Sequence, residues 1–199
     1  MNGLRDDGLA ACKREFRTAL RERPLPRGAA ADACGNEIAR HLAASPELSR
    51  ARRVALFASL PDELPTKTLF VLLRRLGRPT LFPRVRTCEA LEFAPVVCWE
   101  ALRRTGSLGL WEPPALVPPQ RLGPQDLVLV PGLGFDRHGR RIGRGGGHYD
   151  RTFPPGSTGP ALVALAFARQ VVDRVPAGPH DRRMDAIVTE YGMIRAVGG

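Results

Sequence analysis

Three stretches of this 199-residue chain are short, apolar but for Arg53 and Ser59, and free of polar alternation: Arg53–Leu60 (RVALFASL), Leu127–Val130 (LVLV) and Ala161–Ala168 (ALVALAFA). A strand with one wet face alternates apolar and polar residues, whereas an unbroken apolar run of this length needs cover on both faces. That requirement excludes an open antiparallel sheet and calls for a largely parallel sheet inside a layered α/β fold. The intervening segments supply the helices. Leu9, Cys12, Phe16, Ala19 and Leu20 recur at helical spacing over Leu9–Arg23, which Pro24 ends. A second helix is expected over about Arg27–Ala44, stopped by Ser45-Pro46, and a third over about Thr66–Leu76 after the turn PDELP. Thr80–Val85, Leu91–Val97 and Ala186–Thr189 read as further strands, and Gln170–Val175 as a short helix. Thr105–Gly123, with Trp111, Glu112 and four prolines, is left as a long loop, a length that marks function or mobility. No composition shift divides the chain, so one domain is expected.

The formal net charge of +10 would suit a nucleic-acid binder, but the arginines are scattered, often interrupted by acids, and no basic stripe carries interleaved aromatics. The surplus is read as solubility or as attraction for a small anionic substrate. Cys12, Cys34, Cys88 and Cys98 have neither zinc-site spacing nor the density of a secreted disulfide scaffold, which predicts reduced thiols in a cytoplasmic protein. Leu9–Cys12 (LAAC) superficially resembles a lipoprotein cleavage site but lacks an apolar stretch before it. No run of about 18 apolar residues occurs, so no membrane span is expected.

The chemistry concentrates where LVLV runs into PGLGFDRHGRRIGRGGGHYD. Gly143, Gly145 and Gly147 alternate with other residues, so backbone N–H groups can approach a bulky anion, while Arg141 and Arg144 add charge-assisted contacts. The loop lacks the Gly-Lys-Ser/Thr of a Walker A motif and is not a dinucleotide fingerprint. Asp150 and Asp181 are candidate magnesium carboxylates, though either alone reads equally as a cap or a surface charge. Glu63, with Asp62 just past an apolar strand, can accept two hydrogen bonds from a heterocycle edge, and in isolation is also an ordinary turn residue. Lys13 and Arg17, four apart on one helix, can face a single anion. His148 and His180 have no second ligand at metal spacing.

Taken together, these strings resemble the 5-formyltetrahydrofolate cyclo-ligase family. The match rests on PGLGFDRHGRRIGRGGGHYDR, on KREFR at Lys13–Arg17, on FASLPDELPT, on LGLWEPP, and on ALAFARQVVDRVPAGPHDRRMDAIVTE. The resemblance implies a single three-layer α/β/α domain over residues 1–199 with a mostly parallel central sheet, of the CoA-transferase-like kind. It also implies ATP- and Mg²⁺-dependent closure of 5-formyltetrahydrofolate, with or without a polyglutamate tail, by a monomer that binds neither nucleic acid nor membrane. By matching position, Lys13, Arg14 and Arg17 would contact ATP phosphates. Arg141, Gly143, Arg144, Gly145, Gly146, Gly147, His148 and Tyr149 would wrap the triphosphate, and Arg144–His148 also the reacting formyl group, with Arg144 as the catalytic charge. Glu63 would bind the pterin edge, Val54 and Ala58 would line its pocket, Asp150 and Asp181 would hold magnesium, and Asp185 would stand behind them. Three departures from the family pattern are the histidine at His148, the glycine at Gly146, where some relatives carry lysine, and the prolines within Thr152–Gly159. Two other classes stay open: a folate- or nucleotide-binding relative without turnover, and a basic nucleic-acid-binding protein.

Overall fold

The computed structural model describes residues 3–86, 89–105 and 109–197, with side chains from residue 7 onward, so Cys88 and the first residue of LGLWEPP lie outside the described residues. In chain order the elements are α1 (Gly3–Arg21), α2 (Ala29–Ala43), α3 (Pro46–Arg50), β1 (Val54–Ala55), α4 (Lys67–Arg75), β2 (Thr80–Arg84), β3 (Glu92–Pro95), β4 (Arg103–Thr105), β5 (Leu110–Glu112), β6 (Leu127–Val130), β7 (Gly134–Phe135), β8 (Arg141–Ile142), α5 (His148–Thr152), β9 (Ala161–Leu165), β10 (Ala186–Thr189) and β11 (Gly192–Arg195). The apolar runs form the centre of a seven-stranded sheet in the order β11-β10-β9-β6-β1-β2-β3. Strands β10, β9, β6, β1 and β2 are mutually parallel, and only the edges β11 and β3 run antiparallel to their neighbours.

Both faces are covered, as the unbroken apolar runs require. Val54, Leu127, Leu129, Val163 and Val188 pack with Ile38 and Leu42 of α2 and Phe70 and Leu73 of α4. Their neighbours Ala55, Val128, Val130, Leu162 and Ile187 point the other way, onto Phe135, Phe153 and Met184. Each such fully buried aliphatic side chain contributes roughly 1.5–3 kcal/mol. Beyond this second face, Leu20 of α1 packs on Leu133, Ile142 and Val175, seating α1 against the β7–β8 hairpin. The approach is close: a Cβ on Gly134 would stand 2.7 Å from a Leu20 methyl. The mostly parallel α/β architecture expected above is thus present. Among the described residues no helix is long and apolar enough to cross a membrane, and Cys12, Cys34 and Cys98 are free.

Several elements differ from expectation for local reasons. The run Arg53–Leu60 pairs as strand only through Leu56, whose N–H reaches Leu81. The Phe57 carbonyl then accepts the Thr66 hydroxyl at 2.7 Å instead of a neighbouring strand, which bends the chain toward α4. Gln170–Val175 is not a helix. A single 3₁₀ turn at Ala168–Gln170 is fixed by the Gln170 side chain, which accepts from Phe167 N and donates to Gly132 O, and Val171 then bridges to Phe135. The loop segment Thr105–Gly123 carries β5, paired with β4.

The winding direction positions the site. From β1 the chain moves through α4 to β2 on one side, whereas from β6 it moves to β9 on the other. The sheet reverses between β1 and β6, and open parallel sheets bind ligands in the crevice outside the carboxyl ends at such a reversal. The segment after β1 is the acidic turn, and the segment after β6 is the glycine loop.

Candidate functional site

A cleft of about 570 Å³ opens at this reversal. Its floor is apolar: Phe57, Ala58 and Leu60 follow β1, Pro83 and Val85 come from β2 and its end, and Leu91, Leu110 and Trp111 close the far wall. Its rim is polar and holds Arg17, Glu63, Arg141, Gly143 through Gly147, His148, Tyr149 and Asp150. Gly145 and Gly147 have φ of +112° and +65°, conformations that L side chains avoid, so the loop's path depends on glycine at these two positions.

Arg144 leaves the loop and reaches the acidic turn. Its Nη2 donates to Asp62 Oδ1 at 2.6 Å and its Nε to Glu63 Oε1 at 3.2 Å. The Glu63 side chain is 12% exposed, and Leu60 N donates to its other oxygen at 3.0 Å. Burial pushes the Glu63 carboxyl above the ordinary glutamate value, against the pull of the Leu60 N–H and of Arg144. Burial also disfavours ionised Asp62, but the hydrogen bond and charge of Arg144 outweigh it and hold that carboxyl low.

Arg141 is packed beneath the loop. Its guanidinium stands 5.4 Å from the centre of the Tyr149 ring, donates to Asp150 Oδ2 at 3.3 Å, and leaves its buried Nε without a partner. Burial raises the Tyr149 phenol, so it stays neutral at physiological pH. Asp150 also accepts Arg182 N–H at 3.1 Å, which ties the 181–182 segment to α5. Asp181 takes Lys13 Nζ on both oxygens, at 2.7 and 2.5 Å, and Gly178 N–H. Arg17 donates through Nε to Gly143 O at 2.9 Å. On α1, Arg17 therefore meets the glycine loop, and Lys13 meets the segment around Asp181. His148 begins α5, with Nδ1 3.2 Å from Arg151 Nη2, and a Cβ on Gly146 would stand 2.7 Å from its ring, so these two departures from the family pattern are in contact. Among the described residues no group of three or more His, Cys, Asp or Glu side chains could hold a metal ion.

Five expected residues do not line the cleft: Asp181 lines a separate cavity and its partner Lys13 lines neither, and the others are Val54, Arg14 and Asp185. Val54 is 0% exposed and belongs to the core under α2 and α4, not to the cleft wall. Arg14 is exposed on α1, a helical step of about 100° away from the line through Lys13 and Arg17. Asp185 precedes β10 and accepts Leu162 N–H at the start of β9, so it caps the amino edge of the sheet, opposite the cleft. Conversely, apart from Ala58 the apolar floor is not expected from the sequence, and Glu112 is named there only within LGLWEPP, without a site role. Glu112 is buried at the cleft, accepts Val85 N–H at 2.8 Å and takes the Thr105 hydroxyl. Trp111 beside it, one of two tryptophans in the chain, is the available sequence signal, and in the fold it stands half exposed at the cleft.

A reversal-point crevice with an apolar floor and a rim of glycines and arginines has the lining of an α/β small-ligand site, suited to an apolar group beside an anion. Comparison with known proteins specifies the family. The sequence profile of the 5-formyltetrahydrofolate cyclo-ligase family matches residues 9–190, and the chain belongs to that family. It is 33% identical over 144 residues to the 5-formyltetrahydrofolate cyclo-ligase of Mycolicibacterium smegmatis, covering 69% of this chain and 73% of that one. It is 30% identical over 167 residues to the enzyme of that name from Escherichia coli, covering 78% and 87%. The fold is similar to the NMR structure of Aquifex aeolicus 5,10-methenyltetrahydrofolate synthetase, with a TM-score of 0.73 at 27% identity over 94% of both chains.

Proposed function

We propose that this protein closes 5-formyltetrahydrofolate to 5,10-methenyltetrahydrofolate, with ATP converted to ADP and phosphate. The observation that carries this reading is the meeting of an apolar cleft with the glycine loop through the contact of Arg144 with Glu63. The cleft suits a pterin, whose amino and ring N–H edge would donate to Glu63, with Ala58 and Leu60 against its plane. The loop suits a triphosphate, with Lys13, Arg17, Arg141 and Arg144 as its cations.

The reaction needs what this site offers. A formamide oxygen leaves poorly, so it takes the γ-phosphoryl group; N10 then attacks the formyl carbon, gives up its proton, and the C–O bond breaks to release phosphate. No side-chain nucleophile is required, only positioning and neutralisation of charge. Arg144, reaching from the loop toward the pterin-binding carboxylate, is the group placed to follow that charge.

Asp150 and Asp181 fit a magnesium that draws most ligands from phosphate oxygens and water, the usual arrangement for this ion. They do not form a cage by themselves, and each is at present neutralised by a cation, Arg141 and Lys13 respectively. Magnesium would supply further charge neutralisation at the phosphates, and the Arg141 guanidinium and the Lys13 ammonium would turn to the same oxygens. Mixing the protein with 5-formyltetrahydrofolate, ATP and Mg²⁺ should generate the methenyl chromophore. Folate binding without product would indicate a relative without turnover, and salt-sensitive oligonucleotide binding alone would reject the reading.

A further inference from the structure

Arg144 is shared between two carboxylates that are not equivalent. Glu63 is buried, lines the main cleft and also holds Leu60 N–H. Asp62 is half exposed, lines only a small neighbouring pocket, and among the described residues has no side-chain partner other than Arg144. The shorter contact, 2.6 Å against 3.2 Å, is the one to Asp62. A ligand whose N–H groups take Glu63 therefore competes with the Arg144 Nε and leaves the Nη2 contact untouched.

The backbone around Arg144 is held on one side only: Gly143 O accepts from Arg17 and a Cβ on Gly143 would stand 2.7 Å from Arg141 Nη1, whereas the Gly145 side is open. A Cβ on Gly145 would find no heavy atom nearer than 3.9 Å. An arginine on such a segment loses about 2 kcal/mol of side-chain entropy when ordered, so an unheld guanidinium spends most of its time away from one geometry.

We propose that Asp62 is the positioning residue for Arg144: it keeps the guanidinium at the mouth of the cleft once substrate has taken the Glu63 carboxylate. This rests on the reading of the site given above, in which the pterin edge binds Glu63 and Arg144 acts on the transferring phosphoryl group. The tether aligns a charge that matters in the transition state more than in the bound substrate, so its loss should fall on turnover rather than on folate binding.

The test is a double-mutant cycle. Turnover at saturating ATP and folate, and folate affinity without nucleotide, are measured for wild type, Asp62→Asn, Asp62→Glu, Arg144→Ala and the Asp62→Asn/Arg144→Ala pair. Asp62→Asn should lower turnover about tenfold while folate affinity stays within about twofold. Asp62→Glu should restore most of the loss. Added to Arg144→Ala, the Asp62→Asn change should cost less than about twofold more, because its effect runs through the arginine already removed. Wild-type turnover in Asp62→Asn, or an equal loss with and without Arg144, would overturn the assignment, as would a loss confined to folate affinity. Absence of the chromophore with the wild-type protein would instead sink the proposed function before any variant is compared.

Discussion

Glu63 shows how one residue's surroundings set a measurable property of the molecule. As an acceptor for pterin N–H groups it must be ionised, yet burial raises its carboxyl above the ordinary glutamate value. Folate affinity should therefore be full above that raised value and fall as pH drops through it, starting at a higher pH than for a free glutamate. Arg144→Ala removes a cation that favours the ionised form and should move the midpoint further up. Titration of 5-formyltetrahydrofolate affinity between about pH 4 and 8 reads both effects; a midpoint at the free-glutamate value, or a downward shift in the variant, would contradict the role. The same shift works against stability, since a raised carboxyl favours the fold at low pH and loses that contribution as pH rises. Much at this scale was legible in the sequence: the turn that carries Glu63, the glycine loop, and the pairing of Lys13 with Arg17 all follow from local spacing. Val54, Arg14, Asp181 and Asp185 do not line the cleft, because a side chain's direction depends on pleat, helical phase and strand end. Asp181 against Lys13, 168 positions apart, is a contact that no local pattern contains.

At the scale of elements, α1 was read from Leu9 although it begins at Gly3, and helices α2 and α4 and the strand LVLV were read close to their places. The hairpins β4–β5 and β7–β8, two to three residues per strand, were not, because such short ladders are held by partners rather than by their own pattern. Hairpin β7–β8 matters to the site through α1, which carries Lys13 and Arg17 and rests on it at Gly134. Gly134→Ala should push Leu20 outward and destabilise the fold by about 1–3 kcal/mol. Leu20→Ala supplies the missing space, so the double variant should lose less than the sum of the singles in denaturant unfolding. Additive losses would mean that Gly134 serves the hairpin's own backbone.

For the whole molecule, the two halves of the sheet join only along β1 and β6, through the register pairs Val54 with Leu127 and Ala55 with Val128. The amino edge of this short junction is closed by Arg53, which donates to Asp126 through Nε at 2.9 Å and Nη2 at 2.6 Å. The Asp126 side chain is 3% exposed and also accepts Gly123 N–H. Arg53→Ala strands a buried carboxylate there and should cost about 3 kcal/mol in denaturant unfolding. A loss under about 0.5 kcal/mol would show that the pair behaves as an exposed one. The arrangement was not legible in advance, because it depends on which strands become neighbours.

The carboxyl edge of the same junction is crossed by the other arginine, Arg144, which reaches from the β6 half to Asp62 and Glu63 on the β1 half. One crossing is buried and bidentate, and the other is half exposed and divided between two acceptors. The stronger tie thus holds the amino edge of the junction and the weaker one the mouth of the cleft. A folate bound as proposed at Glu63 would add a further bridge across the line where the two halves of the chain's winding meet.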